Sequence, residues 1–258
     1  LLCRDLGRGE AARQGLIAAG ASVDQLLLRQ VDVSSRASVR RFAAAYLATG
    51  QPSHGLIHNA GVLPPARVLV PREPGEPDDD VELTFATNVL GPYLLTRLLA
   101  PRLRASAPAR VVFVSSGGMY SQRLDLDDLQ SARRTPFDGV VAYAQTKRAE
   151  IHLTEHFAAA LADGVTVNAM HPGWADTPGV RTSLPRFHRL TRLFLRDAEA
   201  GADTALWLAI SPEAAPYTGL FFFDRKPRRT HLPLMRTEGP ADTTQRLIAA
   251  CEHLAPVA

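Results

Sequence analysis

Cysteine is nearly absent from these 258 residues: Cys3 and Cys251 stand at opposite ends and could form one bridge at most. That excludes a disulfide scaffold and makes a reducing compartment, and so the cytoplasm, the default. A one-sided charge is also missing. Lys and Arg number 29 against 26 Asp and Glu, spread along the chain, which gives no electrostatic footprint for nucleic acid. No apolar run reaches the roughly 20 residues that a membrane-spanning helix requires. There is no internal repeat and no linker, so residues 1–258 read as a single domain. The chain opens Leu1-Leu2-Cys3-Arg4, without an initiator Met or a signal-peptide pattern, as though inside a strand. The expectation is therefore that a segment, and with it a possible anchor, lies upstream.

What the chain does have is alternation. A helical stretch after Asp5, closed by Gly20, leads to a short buried strand over Leu26-Leu27-Leu28 and Val31 that ends at Asp32. Ser34 and Ser35 are N-cap candidates for a helix in which Val39, Phe42, Ala43, Tyr46 and Leu47 form one apolar face. Leu56-Ile57-His58 reads as a strand. Residues 63–80 read as a proline-rich loop. Its closing acids, Asp78-Asp79-Asp80, suit the start of a long helix over about 81–103, bent at Gly91-Pro92. Strands over 110–114 and 165–170 flank an irregular segment and a helix over about 141–162. A helix near 198–210, a strand over 219–223, a basic stretch and a helix near 241–254 follow. Continuous apolar strands alternating with helices predict a parallel sheet covered on both faces, a doubly wound α/β fold.

In such folds ligands bind at the carboxyl ends of the strands. Those ends carry Asp32, Asn59-Ala60-Gly61, Ser115-Ser116 and His171-Pro172-Gly173. Small and amide residues let the backbone approach a flat polar ligand. The sharpest feature is Tyr143-Ala144-Gln145-Thr146-Lys147. Tyr and Lys four apart share one helix face, and a neighbouring ammonium favours the phenolate. Such a tyrosine can exchange a proton with a substrate oxygen. A half-buried Tyr beside a solvated Lys is the plain alternative.

The series Asn59-Ala60-Gly61, Asn88, Ser115-Ser116, Tyr143 with Lys147, and Pro172-Gly173 resembles the short-chain dehydrogenase/reductase family over nearly the whole chain. Segments such as Arg134-Thr135-Pro136-Phe137-Asp138-Gly139 and Asp224-Arg225-Lys226-Pro227 resemble one subfamily of it. The interval from Ser116 to Tyr143 is longer than in the smallest members and, with residues 124–129, resembles the retinol-dehydrogenase-like branch. The resemblance implies a Rossmann-type oxidoreductase that moves a hydride between a nicotinamide cofactor and a carbonyl or secondary alcohol. It makes Tyr143 the general acid/base, Lys147 the ribose holder that lowers the tyrosine pKa, Ser116 the substrate-oxygen ligand, and Asn88 the holder of a relay water. It places Asp32 and Val33 at the adenine, Asn59, Ala60 and Gly61 under the ribose and diphosphate, and Pro172, Gly173 and Thr177 on the nicotinamide side. Cys3 followed by Arg4 stands where NAD-preferring members carry an acid, which points to NADP, with NAD as the alternative. Family members are often oligomers, so a homo-oligomer is an open expectation.

One departure bears on this reading. The glycine-rich turn that cradles the pyrophosphate is absent, and the chain starts within the family's second strand. The expectation is that residues 1–258 lack the first strand, the turn and the first helix, and by themselves are poorly soluble and unable to bind NADP(H). The rival from another class is a non-catalytic nucleotide- or partner-binding protein that keeps the fold. Trp174, Leu184, Phe187, Leu190, Leu193 and Phe194 offer an apolar lid, hence a small apolar carbonyl or alcohol as substrate, or else pack on the core. His152 and His156 share a helix face without a third ligand at metal-site spacing, so no metal site is assigned. The run Arg225-Lys226-Pro227-Arg228-Arg229 reads as a solvated turn.

Overall fold

The computed structural model describes residues 1–74, 80–173 and 196–257. In chain order the elements begin with β1 (Leu2–Cys3), α1 (Leu6–Ala18), β2 (Arg29–Gln30), α2 (Arg36–Ala48), β3 (Gly55–His58), β4 (Leu69–Val70) and β5 (Val81–Glu82). A short helix α3 (Leu83–Phe85) continues through a π turn at Ala86–Leu90 into α4 (Gly91–Ala105), then β6 (Ala109–Val114) and α5 (Gly139–Ala160). The chain closes with β7 (Val165–Met170), α6 (Ala198–Ile210), β8 (Phe221–Phe223), β9 (Lys226–Arg228) and α7 (Thr243–Leu254).

The sheet is mostly parallel, with helices packed around it, but it is divided. β3, β6, β7 and β8 pair in parallel in that order, and β9 adds an antiparallel edge. β1 and β2 form a separate parallel pair. Among the described residues β1 has no strand neighbour besides β2, and β3 none besides β6. Ile57 on β3 is correspondingly half-exposed. The main core lies between β6, β7 and the helices α2, α4, α5 and α7, with Val39, Leu94, Phe113, Leu153, Val167 and Leu247 buried.

Several expectations are corrected. The strand placed at 26–31 forms only at Arg29–Gln30, after a 3-10 turn at Val23–Gln25; Leu27 is exposed and only Val31 enters the core. The 63–80 segment is not all loop, because Leu69–Val70 pairs with Val81–Glu82. The helix that follows is capped by Glu82, whose carboxylate accepts the Thr84 and Phe85 N–H groups, while Asp78 and Asp79 lie outside the described residues. Part of the basic stretch is β9: Asp224 and Arg225, both at positive φ, turn the chain into a hairpin with β8. Strand β7, the Ser35 cap of α2 and helix α6 form as expected.

Candidate functional site

The parallel strands β3, β6 and β7 end on one side of the sheet, and α5 packs on β7 and is bonded to the end of β6. Asp138 caps α5 by accepting the Val140 and Val141 N–H groups. This fixes the helix so that Tyr143 is half-exposed while Lys147, one turn on, is buried at 3% exposure. The Lys147 Nζ lies 5.4 Å from the Tyr143 ring centroid. It donates to the Val114 carbonyl on β6 at 2.8 Å and to Glu150 Oε1 at 2.7 Å. Burial alone would depress the lysine, but the Glu150 carboxylate and Tyr143 outweigh it and hold Lys147 above its ordinary value.

The serine pair at the end of β6 divides its labour. Ser115 is buried, and its hydroxyl donates to the Lys147 carbonyl at 2.8 Å. Ser116 is half-exposed, and its Oγ accepts the Gly118 N–H at 3.1 Å as the cap of a 3-10 turn. The Ser116 hydroxyl hydrogen has no acceptor among the described residues, so Ser116 rather than Ser115 can donate to a ligand. His171, at the end of β7, stacks on Phe223 at 4.2 Å and accepts the Gly173 N–H through Nδ1 at 3.0 Å. That contact shapes the turn that begins with Pro172. Burial, helped by the Arg196 charge, holds His171 down at about 4, so it is neutral there.

Asn88 sits at 0% exposure inside the π turn. Its amide donates to the Val62 carbonyl and to Thr146 Oγ1, and its oxygen accepts the Val62 N–H at 2.9 Å. The side chain thus ties the loop after β3 to α5. Asn59, Ala60 and Gly61 are exposed on that loop. A Cβ at Gly61 would lie 3.5 Å from both Asn88 Oδ1 and Lys147 Nζ, so this glycine opens the approach to both.

The cofactor residues expected near the adenine gather at a second point. Arg4, Asp32, Ser35, Ser38, Arg41 and Glu73 line a cleft of about 440 Å³. Asp32 is engaged locally, accepting both the N–H and the hydroxyl of Ser34. Glu73 bridges Ser35 and Arg41 at 2.9 and 2.8 Å. Val33 is partly buried behind the cleft, where its carbonyl abuts Gly91. Thr177 and the six apolar lid candidates lie outside the described residues.

Arg41, Glu73 and Glu150 were not anticipated. Arg41 had a signal, since Ser35, Ser38 and Arg41 recur every three residues along one polar stripe of α2. Glu150, three after Lys147, reads in sequence as an ordinary surface acid.

A family model described as enoyl-(acyl carrier protein) reductase matches residues 6–219. The chain is 44% identical to dehydrogenase/reductase SDR family member 12 of Bos taurus, over 99% of this chain and 77% of that relative. It is 37% identical to retinol dehydrogenase 12 of Homo sapiens, over 88% of this chain and 69% of that relative. The crystal structure of a protein from Mycobacterium paratuberculosis superposes with a TM-score of 0.69 at 27% identity, covering 98% of this chain and 82% of that one.

Proposed function

The chain belongs to the short-chain dehydrogenase/reductase family, oxidoreductases that transfer hydride with NAD(P), and from that membership we propose that Tyr143 is its general acid/base. The observation that carries this reading is the half-exposed Tyr143 hydroxyl face beside a buried, charged Lys147 at the open Gly61 loop. A bound nicotinamide would supply or accept the hydride. In the reducing direction Tyr143 gives its phenolic proton to the carbonyl oxygen, and Ser116 donates a hydrogen bond to that same oxygen. The Lys147 ammonium favours the phenolate left behind. Asn88 keeps the Asn59–Gly61 loop against α5, and the resemblance adds a relay water at that point. The Pro172–Gly173 turn, braced by His171, closes the nicotinamide side.

Two finer readings belong to the same proposal. The cofactor is NADP(H): the guanidinium groups of Arg4 and Arg41 line the adenosine-side cleft, and a planar fork suits a 2′-phosphate. The substrate is a lipophilic carbonyl or alcohol, which the similarity to retinol dehydrogenase 12 supports. Among the described residues no helix is long and apolar enough to cross a membrane.

The test is NADPH oxidation, by a form that carries the glycine-rich turn expected upstream, against a panel of lipophilic and hydrophilic carbonyls. Tyr143→Phe keeps the ring and removes the proton, so turnover falls by at least ~10²-fold while NADPH affinity is retained. Near-parental turnover would refute the acid/base assignment. Arg4→Ala should weaken NADPH more than NADH, and equal losses would remove the argument for NADP.

A further inference from the structure

Glu150 is a buried acid that the proposed reaction does not use. Its side chain and that of Lys147 are each 4% exposed, and they meet at 2.7 Å. Its second oxygen, Oε2, is buried without a hydrogen-bond partner among the described residues. An unpartnered carboxylate oxygen in the interior is costly, and a hydrophobic residue would serve packing better. We propose that Glu150 is a positioning residue that holds the Lys147 ammonium on the β6 side of the site and sets how strongly that ammonium favours the Tyr143 phenolate. This rests on reading Tyr143 and Lys147 as the acid/base pair.

The geometry around Nζ carries the argument. An ammonium has three donors. One goes to Glu150 and one to the Val114 carbonyl, which leaves one for a bound ligand on the Gly61 side, beside the Tyr143 ring. A compensated ammonium attracts the phenolate less than a bare one does. Among the described residues, Glu150 and Tyr143 are the charges that act on Lys147. β6 presents the Val114 carbonyl and the Ser115 hydroxyl, the π turn presents the neutral Asn88, and the loop after β3 presents the Gly61 backbone. On α5 itself, the Arg148 guanidinium forks away to the carbonyls of Thr230 and Met119 and to Thr237 Oγ1. Burial, partly offset by the Lys147 ammonium, holds the Glu150 carboxyl above its ordinary range.

The experiment titrates the phenol directly, by ultraviolet difference absorbance of the whole protein. The chain has five tyrosines, so the Tyr143→Phe background is subtracted for each form. Glu150→Gln removes the compensating charge and should lower the Tyr143 midpoint by about one pH unit or more. Glu150→Asp keeps the charge on a shorter arm and should fall between the two. If Glu150→Gln does not fold, the Asp variant decides. A Tyr143 midpoint that stays at the parental value, or rises, overturns the proposal. Because this readout needs no turnover, its failure is distinct from a failure of the oxidoreductase assignment, which shows as missing NADPH oxidation.

Discussion

At the scale of single residues, His58 shows how burial fixes chemistry. It closes β3, is buried, and stacks on Phe113 at 4.8 Å. Thr96 gives its hydroxyl hydrogen to the Pro92 carbonyl, so at 2.8 Å it must accept from His58, and the imidazole carries its proton on Nε2. Desolvation pulls His58 down to about 3 from an ordinary 6.5. A depressed histidine contributes stability above its unfolded pKa and loses that contribution as pH falls toward the folded one. His152 and His171, held at about 4, act in the same direction. Thermal melts should therefore fall steadily from pH 6.5 toward 4. His58→Phe, which keeps the ring stack, should flatten part of that slope. An unchanged slope would mean that His58 is not held neutral.

At the scale of elements, the π turn and the helix after it do what an unbroken helix could not. The extra residue in the turn brings Asn88 onto Val62 and Thr146 together. Immediately after it, Gly91 lies against the Val33 carbonyl, where an added Cβ would sit 2.0 Å away. That neighbour is backbone and cannot swing aside. Gly91→Ala should therefore destabilise by about 3 kcal/mol, the upper end for overpacking. Calorimetry should show the loss as a lower Tm. Gly15→Ala in α1 is the control, since nothing lies within 4 Å of that position. There the gain in helix propensity should leave stability equal or slightly higher.

At the scale of the whole molecule, the C-terminus is the clamp. Helix α7 buries Leu247 and Cys251 completely and lies along α5, where His152 Nδ1 meets Thr244 Oγ1 at 2.9 Å. The buried Arg36 of α2 donates to the Leu254 carbonyl at 2.7 Å, and Arg40 donates to the Pro256 carbonyl at 2.6 Å. The two arginine contacts span more than two hundred residues of sequence and tie α2 to the end of α7. Burial pushes the Cys251 thiol far above its ordinary range, whereas Cys3 is partly exposed with an unburied backbone edge. With a chromogenic disulfide reagent, Cys3 should react in the native protein and Cys251 only after denaturation. Fast native reaction of both thiols would mean that α7 opens readily. Leu247→Ala should then expose Cys251 to the reagent, at a cost of about 2–5 kcal/mol in stability.

The sequence by itself determined the alternation of strands and helices, because continuous apolar strands and one-faced helices are local patterns. It also determined the Tyr143–Lys147 spacing, since four residues on a helix place two side chains on one face wherever that helix goes. Strand β7 and the Ser35 cap were readable for the same reason. What lay beyond it were consequences of packing. The strand expected at 26–31 shifted because no described residue covers Leu27, which is exposed. The divided sheet, the π turn in place of a simple bend and the Leu69–Val70 pairing with Val81–Glu82 depend on partners distant in sequence. The choice between Ser115 and Ser116 became physical only when Lys147 claimed the first. Glu150 was unreadable altogether, because an acid on a helix becomes a counter-ion only when the tertiary structure removes the water around it.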